Sequence, residues 1–108
     1  MKHPIEIVRI GDELKPFIDG CYQGWGFASL LWSFPCCVNG DSHQLIFVRR
    51  THWFDRQEFA VSIDGLKPAD SDWSPQPFCD CVLTQDALSV ITSDSRIIHI
   101  PWPATHNE

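Results

Sequence analysis

Short apolar runs separated by turn-forming residues dominate the hydrophobic pattern of this chain. The clearest run covers residues 58–63, where Phe59, Val61 and Ile63 alternate with polar or smaller residues. A period of two is typical of a β-strand with one face in the core and the other in water. The turn dipeptide Asp64-Gly65 follows directly, and it predicts that the strand ends there.

The N-terminal third mixes strand and helix signals. Residues 5–10 are rich in β-branched side chains, which predicts a first strand. Asp12 is a favourable N-cap residue, so we expect a short helix from there to about residue 17.

The apolar residues 27–34 suit either a buried strand or a short buried helix, and we expect a strand, because Pro35 ends the apolar run and Asn39-Gly40 soon follows. Asn39-Gly40 is a strong hairpin signal, because both residues tolerate positive φ. Residues 27–38 and 44–51 are therefore expected to form a hairpin.

The C-terminal third predicts a three-stranded meander over residues 78–84, 88–92 and 96–100, preceded by a proline-rich loop over residues 66–77. The sequence as a whole predicts one mainly β domain over residues 1–108. We expect an antiparallel sandwich, rolled sheet or small barrel of about six to eight strands, with at most one or two short helices.

The charge balance narrows the class of partner. The 108 residues include 14 acidic and 8 basic side chains, for a net charge of −6. Nucleic acids and anionic membranes are both unfavourable partners for such a chain, whereas a basic protein is favoured. There is no signal peptide pattern at the N-terminus and no apolar run long enough to span a membrane, so a cytoplasmic location is expected.

The cysteine and histidine side chains are the candidate reactive and metal-binding groups of the chain. Five cysteines cannot all pair within one chain, so free thiols are expected. Adjacent Cys36 and Cys37 in a strand would point to opposite faces, which disfavours a zinc site with Cys79 and Cys81. We therefore expect no metal and no cofactor.

Two histidines supply an enzymatic alternative. His52 lies in the basic segment 49–56, and His99 lies on a predicted strand opposite Ile98 and Ile100. A small enzyme using His52, His99 or a cysteine is therefore one alternative function. A structural or assembly subunit that pairs through strand edges is another.

Acidic residues flank Trp73 between residues 64 and 80. An aromatic anchor with flanking carboxylates is what a binder of a basic protein needs. The predicted partner-binding residues are Asp64, Asp70, Asp72, Trp73 and Asp80. Trp73 is expected to be the anchor, and the aromatic and basic segment 49–56 is the second place to look.

These features favour a non-enzymatic binding protein that neutralises a basic protein by occluding its active site. Its most concrete form is a bacterial immunity protein against a nuclease toxin. Small size, acidity and a compact β fold are the features that point there.

Overall fold

The computed structural model describes residues 4–104, and that part of the chain is almost entirely β-structure. The strands are β1 (Ile5–Ile10), β2 (Glu13–Ile18), β3 (Cys21–Tyr22), β4 (Ser29–Val38), β5 (Asp41–Thr51), β6 (Gln57–Ile63), β7 (Phe78–Leu83), β8 (Ala87–Thr92) and β9 (Ile97–Pro101). Helical structure in these residues is limited to two 3-10 turns, Trp53–Asp55 and Asp70–Asp72. The prediction of a mainly β antiparallel fold is confirmed.

Successive strands form three antiparallel meanders, with strand orders β1-β2-β3, β4-β5-β6 and β7-β8-β9. The predicted hairpin around Asn39-Gly40 is confirmed, because Val38 pairs with Asp41 across these two residues. Their φ values of 54° and 79° are both left-handed, as a type I′ turn requires. The predicted C-terminal meander is confirmed as β7, β8 and β9.

The sheet β4-β5-β6 lies between the other two, and it contributes to two hydrophobic clusters. Ile46 and Val48 of β5 join a cluster with Trp25, Phe27, Ala60 and Trp73, against which Ile5, Ile7 and Leu14 of the first sheet pack. Leu45 and Phe47 join the second cluster, with Val61, Ile63, Leu88 and Val90. Because successive side chains of a strand alternate between faces, β5 supplies both cores at once.

Burial of both faces of β6 corrects its predicted exposure. Phe59, Val61 and Ile63 were expected to face the core, with the other face in water. Instead Ala60 and Ser62 are also buried, because the first sheet covers the second face of β6. Ala60 fits that covered face because it is small, and Ser62 fits because its hydroxyl donates to the Leu66 carbonyl.

The expected helix after Asp12 is wrong. Gly11 and Asp12 connect β1 to β2 as a two-residue turn, closed by the pair Ile10 and Glu13. The preference of aspartate for turns is the same preference that makes it a helix cap, since its short side chain bonds nearby amides. The residues expected to be helical are thus the strand β2.

The hairpin strand expected over residues 27–38 is confirmed as β4, which begins at Ser29 and passes through Pro35 to Val38. Pro35 pairs with Gln44, between the pairs Cys36–His43 and Phe34–Leu45. Hydrogen-bonded and non-hydrogen-bonded pairs alternate back from the two-residue turn, and Pro35–Gln44 is a non-hydrogen-bonded pair. The backbone groups of residue 35 therefore face away from β5, and the missing N–H of proline leaves the β4–β5 ladder intact. β4 is therefore an edge strand that accommodates a proline.

None of the described residues forms a helix that is long and apolar enough to cross a membrane.

Candidate functional site

Trp73, the predicted anchor, lies in the core. Its side chain is only 8% exposed. The ring packs edge-on against Trp25 at 6.4 Å between centroids, and the Arg50 guanidinium lies over the Trp73 ring, 3.8 Å from its centroid. The indole N–H has no hydrogen-bond partner in the described part of the chain. In this structure the Trp73 ring is not presented to solvent.

Backbone pairing explains the burial of Trp73. The amide of Phe59 donates to the carbonyl of Ser74, and the amide of Ser74 donates back to Phe59, both at 2.8 Å. These two bonds fix the end of the long loop along the outer edge of β6. Trp73 is thereby placed beside the buried Ala60, within the first hydrophobic cluster.

The predicted carboxylates lie on three separate elements. Asp70 and Asp72 share the second 3-10 turn, called here the acidic turn (Asp70–Asp72). Partial burial raises the pKa of Asp72 above its ordinary value. Asp80 lies on β7, where its carboxylate accepts the Cys81 amide, and Asp64 follows β6. Their role in partner binding remains a prediction.

Asp64 takes part in a partly buried polar contact. Its Oδ2 lies 2.6 Å from Nδ1 of His43, and its Oδ1 accepts the amide of Gln44 at 2.8 Å. His43 is buried and stacks on Trp102 at 5.1 Å between ring centroids. This arrangement ties the end of β6 to β5 and to the segment after β9. The contacts give Asp64 a structural role.

The most exposed aromatic residues lie at the end of the β5–β6 hairpin. We call residues 52–56 the hairpin tip. Trp53 is 74% exposed and Phe54 is 92% exposed. Phe54 also has left-handed backbone angles, φ 58° and ψ 37°, which are rare and strained for a bulky residue.

The base of the hairpin tip is well fixed. The His52 amide donates to the Arg56 carbonyl at 2.6 Å. Next to it, the Arg50 guanidinium contacts the Glu58 carboxylate at 2.9 Å. The two aromatic side chains therefore project from an ordered hairpin, and burial in a partner would stabilise them. The sequence indicated segment 49–56 only as the second candidate for the interface, because the pattern of residues in a loop does not show which aromatic side chain the core covers.

Strand β4 carries a second exposed apolar surface. Leu30, Leu31, Trp32 and Phe34 are all exposed, although this segment was expected to be buried. The two hydrophobic clusters are built on β5 and β6 of the central sheet, and β4 lies at its edge. Trp32 and Phe34 both contact the ring of Phe47, at 6.0 and 5.7 Å between centroids.

The enzymatic alternative named two histidines, which lie on different sheets. His52 lies at the hairpin tip, 3.9 Å from the Glu58 carboxylate. His99 lies on the outer face of β9, where Nδ1 contacts the Ser89 hydroxyl at 2.7 Å. Each imidazole thus has its own neighbours.

The five cysteines, all within the described residues, form no disulfide bonds. Among residues 4–104, no three His, Cys, Asp or Glu side chains form a group that could hold a metal ion. Burial, together with the neighbouring Asp80 carboxylate, raises the pKa of the Cys81 thiol above its ordinary value.

Comparison with protein-family models, with curated proteins and with solved structures found no match to this chain.

Proposed function

We propose that this chain is a non-enzymatic protein-binding protein that neutralises a basic partner by occluding its active site. An immunity protein against a nuclease toxin is the specific form. The observation that carries the proposal is the hairpin tip, where Trp53 and Phe54 are 74% and 92% exposed. Large aromatic side chains of this kind dominate the binding energy of protein interfaces once a partner covers them.

Strain at Phe54 supports a role in binding. A non-glycine residue with left-handed φ is held there by its surroundings, and such outliers cluster at functional sites. A smaller residue would suit this turn better. The exposed phenyl ring has no packing role that would offset the strain, so contact with a partner accounts for it better than stability does.

Charge supports a basic partner that approaches the β6 side of the central sheet. The chain carries a net charge of −6. The acidic turn runs along the outer side of β6, since Ser74 is bonded to Phe59, and the hairpin tip leads directly into β6. Asp70 and Asp72 can thus steer a cationic surface towards the edge where Trp53 and Phe54 project.

The experiment begins with the product of the adjacent gene, if it is a basic nuclease. An equimolar amount of this protein should abolish its cleavage of DNA or RNA. Replacing Trp53 and Phe54 together with alanine should raise the dissociation rate by a factor of about 30 or more, as loss of a hot spot does. Full nuclease activity in the presence of excess wild-type protein would reject this partner class.

Two further variants separate anchoring from steering. Changing Asp70 and Asp72 to Asn should slow association and flatten its dependence on salt, with little change in dissociation. Ile97→Ala is the matched control, because Ile97 is an exposed apolar residue on β9 of a different sheet. If the tip variant binds like wild type, the hairpin tip is not the contact.

A further inference from the structure

The three sheets have six outer strands, and β4 differs from the rest. Outer strands normally carry charged residues that prevent pairing with another chain. Three of the others follow this rule, with Glu6 and Arg9 on β1, Glu58 on β6 and Asp80 on β7. β4 has ten residues and no Asp, Glu, Lys or Arg. The remaining two outer strands, β3 and β9, are also uncharged but have two and five residues.

The outer side of β4 has backbone groups available for pairing. Starting from the closing pair Val38–Asp41, hydrogen-bonded pairs alternate along the hairpin, so Ser33 and Cys37 direct their amides away from β5. The Asp64 amide donates to Gln44 on the far side of β5, which agrees with this alternation. In residues 4–104, no strand pairs with the outer side of β4.

We propose that β4 pairs with β4 of a second copy of this chain, extending the central sheet across a two-fold axis. A second copy fits because the strand has no charge of either sign to select an oppositely charged partner. The same strand in both copies also makes a self-complementary contact. The acidic turn is linked to the outer edge of β6, opposite β4, and the hairpin tip projects beyond the Ser29–Arg49 pair at the end of β4.

The exposed area sets the strength of this contact. The exposed fractions of Leu30, Leu31, Trp32 and Phe34, applied to a side-chain area of about 150–250 Å², give roughly 350 Å² of exposed apolar surface per copy. A standard interface buries about 800 Å² per partner, so backbone pairing and flanking residues must supply the rest. Pro35 lacks one outward N–H and a bulge interrupts the register between Leu30 and Trp32. The dimer should therefore be weak and depend on concentration.

Salt separates this contact from the proposed function. Two copies of net charge −6 repel each other, so screening should strengthen dimerisation. The same screening should weaken binding to a basic partner. The dimer inference does not rest on the proposed function, since it concerns the purified chain alone.

The test is sedimentation velocity of the purified chain from about 5 to 500 µM, the range where micromolar interfaces form. The sedimentation coefficient should rise with concentration, and rise further when salt is added. Ser33→Pro removes an outward amide without touching the β4–β5 ladder, as Pro35 already does, and should abolish the rise. Leu31→Lys adds a charge in the bulge and should do the same.

Ile97→Lys is the control and should leave dimerisation unchanged, because Ile97 is 57% exposed, as is Trp32, but lies on β9. If Ser33→Pro fails to fold, Leu31→Lys decides the test. A wild-type chain that stays monomeric throughout overturns the proposal. So does a dimer that survives Leu31→Lys, or one that is lost only with Ile97→Lys.

Discussion

Replacing Trp73 with alanine should destabilise the protein by about 3 kcal/mol. Removal of a buried tryptophan or phenylalanine typically costs about 3–5 kcal/mol through lost transfer energy and the cavity left behind. The loss here includes the contact with Trp25 and the stacked Arg50 guanidinium. It is offset in part, because the buried indole N–H has no partner and its removal relieves about 1–3 kcal/mol of desolvation.

Urea denaturation followed by circular dichroism measures this change. With a slope of about 1.5 kcal/mol per M, the midpoint should fall by about 2 M. Trp53→Ala is the control, and it should change the free energy of unfolding by no more than about 0.5 kcal/mol, as exposed substitutions do. Trp73→Phe should recover most of the loss, since it keeps a ring and removes the unpaired N–H.

If Trp73→Ala lowers stability by less than about 1 kcal/mol while weakening partner binding, the ring is an exposed anchor in solution and the packing against Trp25 is wrong.

Three other predictions follow from single residues. Phe54→Asn should raise the free energy of unfolding by up to about 1 kcal/mol in urea denaturation, because asparagine tolerates left-handed φ far better than phenylalanine does; a loss of stability would show that the exposed ring packs in solution. Burial raises the pKa of Asp72, so the folded protein binds this proton more tightly than the unfolded chain, and its contribution to stability falls as the pH rises from about 4 through the raised pKa. Asp72→Asn should therefore increase the free energy of unfolding at pH 7, and Asp70→Asn, in the same turn, is the comparison. The gain of Asp72→Asn over wild type should be larger at pH 7 than at pH 3, and a smaller gain at pH 7 would contradict the sign. The raised pKa of the Cys81 thiol predicts slower alkylation by iodoacetamide at pH 8 than for the exposed Cys79, as measured by peptide mass spectrometry; equal rates would contradict it.

Turn chemistry accounts for most of what could be predicted from the sequence. Asn39-Gly40 specified a type I′ turn and hence the β4–β5 hairpin. Alternation in β6 correctly indicated a strand, and the meander of β7, β8 and β9 followed from its polar turns. These signals are local, because each depends on residues only a few positions apart.

Features that depend on a distant sheet were predicted less well. The second face of β6 is buried because the first sheet lies against it, and no pattern within residues 58–63 reveals a covering sheet. The helix expected after Asp12 failed for a different, local reason. Aspartate favours caps and turns alike, and the antiparallel pairing of β1 with β2 selected the turn.

The sequence also does not show which tryptophan can meet a partner. Trp53 and Trp73 both lie in 3-10 or loop segments outside the strands, with charged residues nearby. They differ in backbone pairing: Ser74 bonds to Phe59 and draws Trp73 over the core, while the hairpin tip bonds only within itself through His52 and Arg56. Exposure of an aromatic residue in a loop is therefore set by whether the adjoining backbone pairs with a sheet edge. By that criterion the hairpin tip, and not the loop ending at Trp73, is where substitutions should affect binding and leave the fold intact.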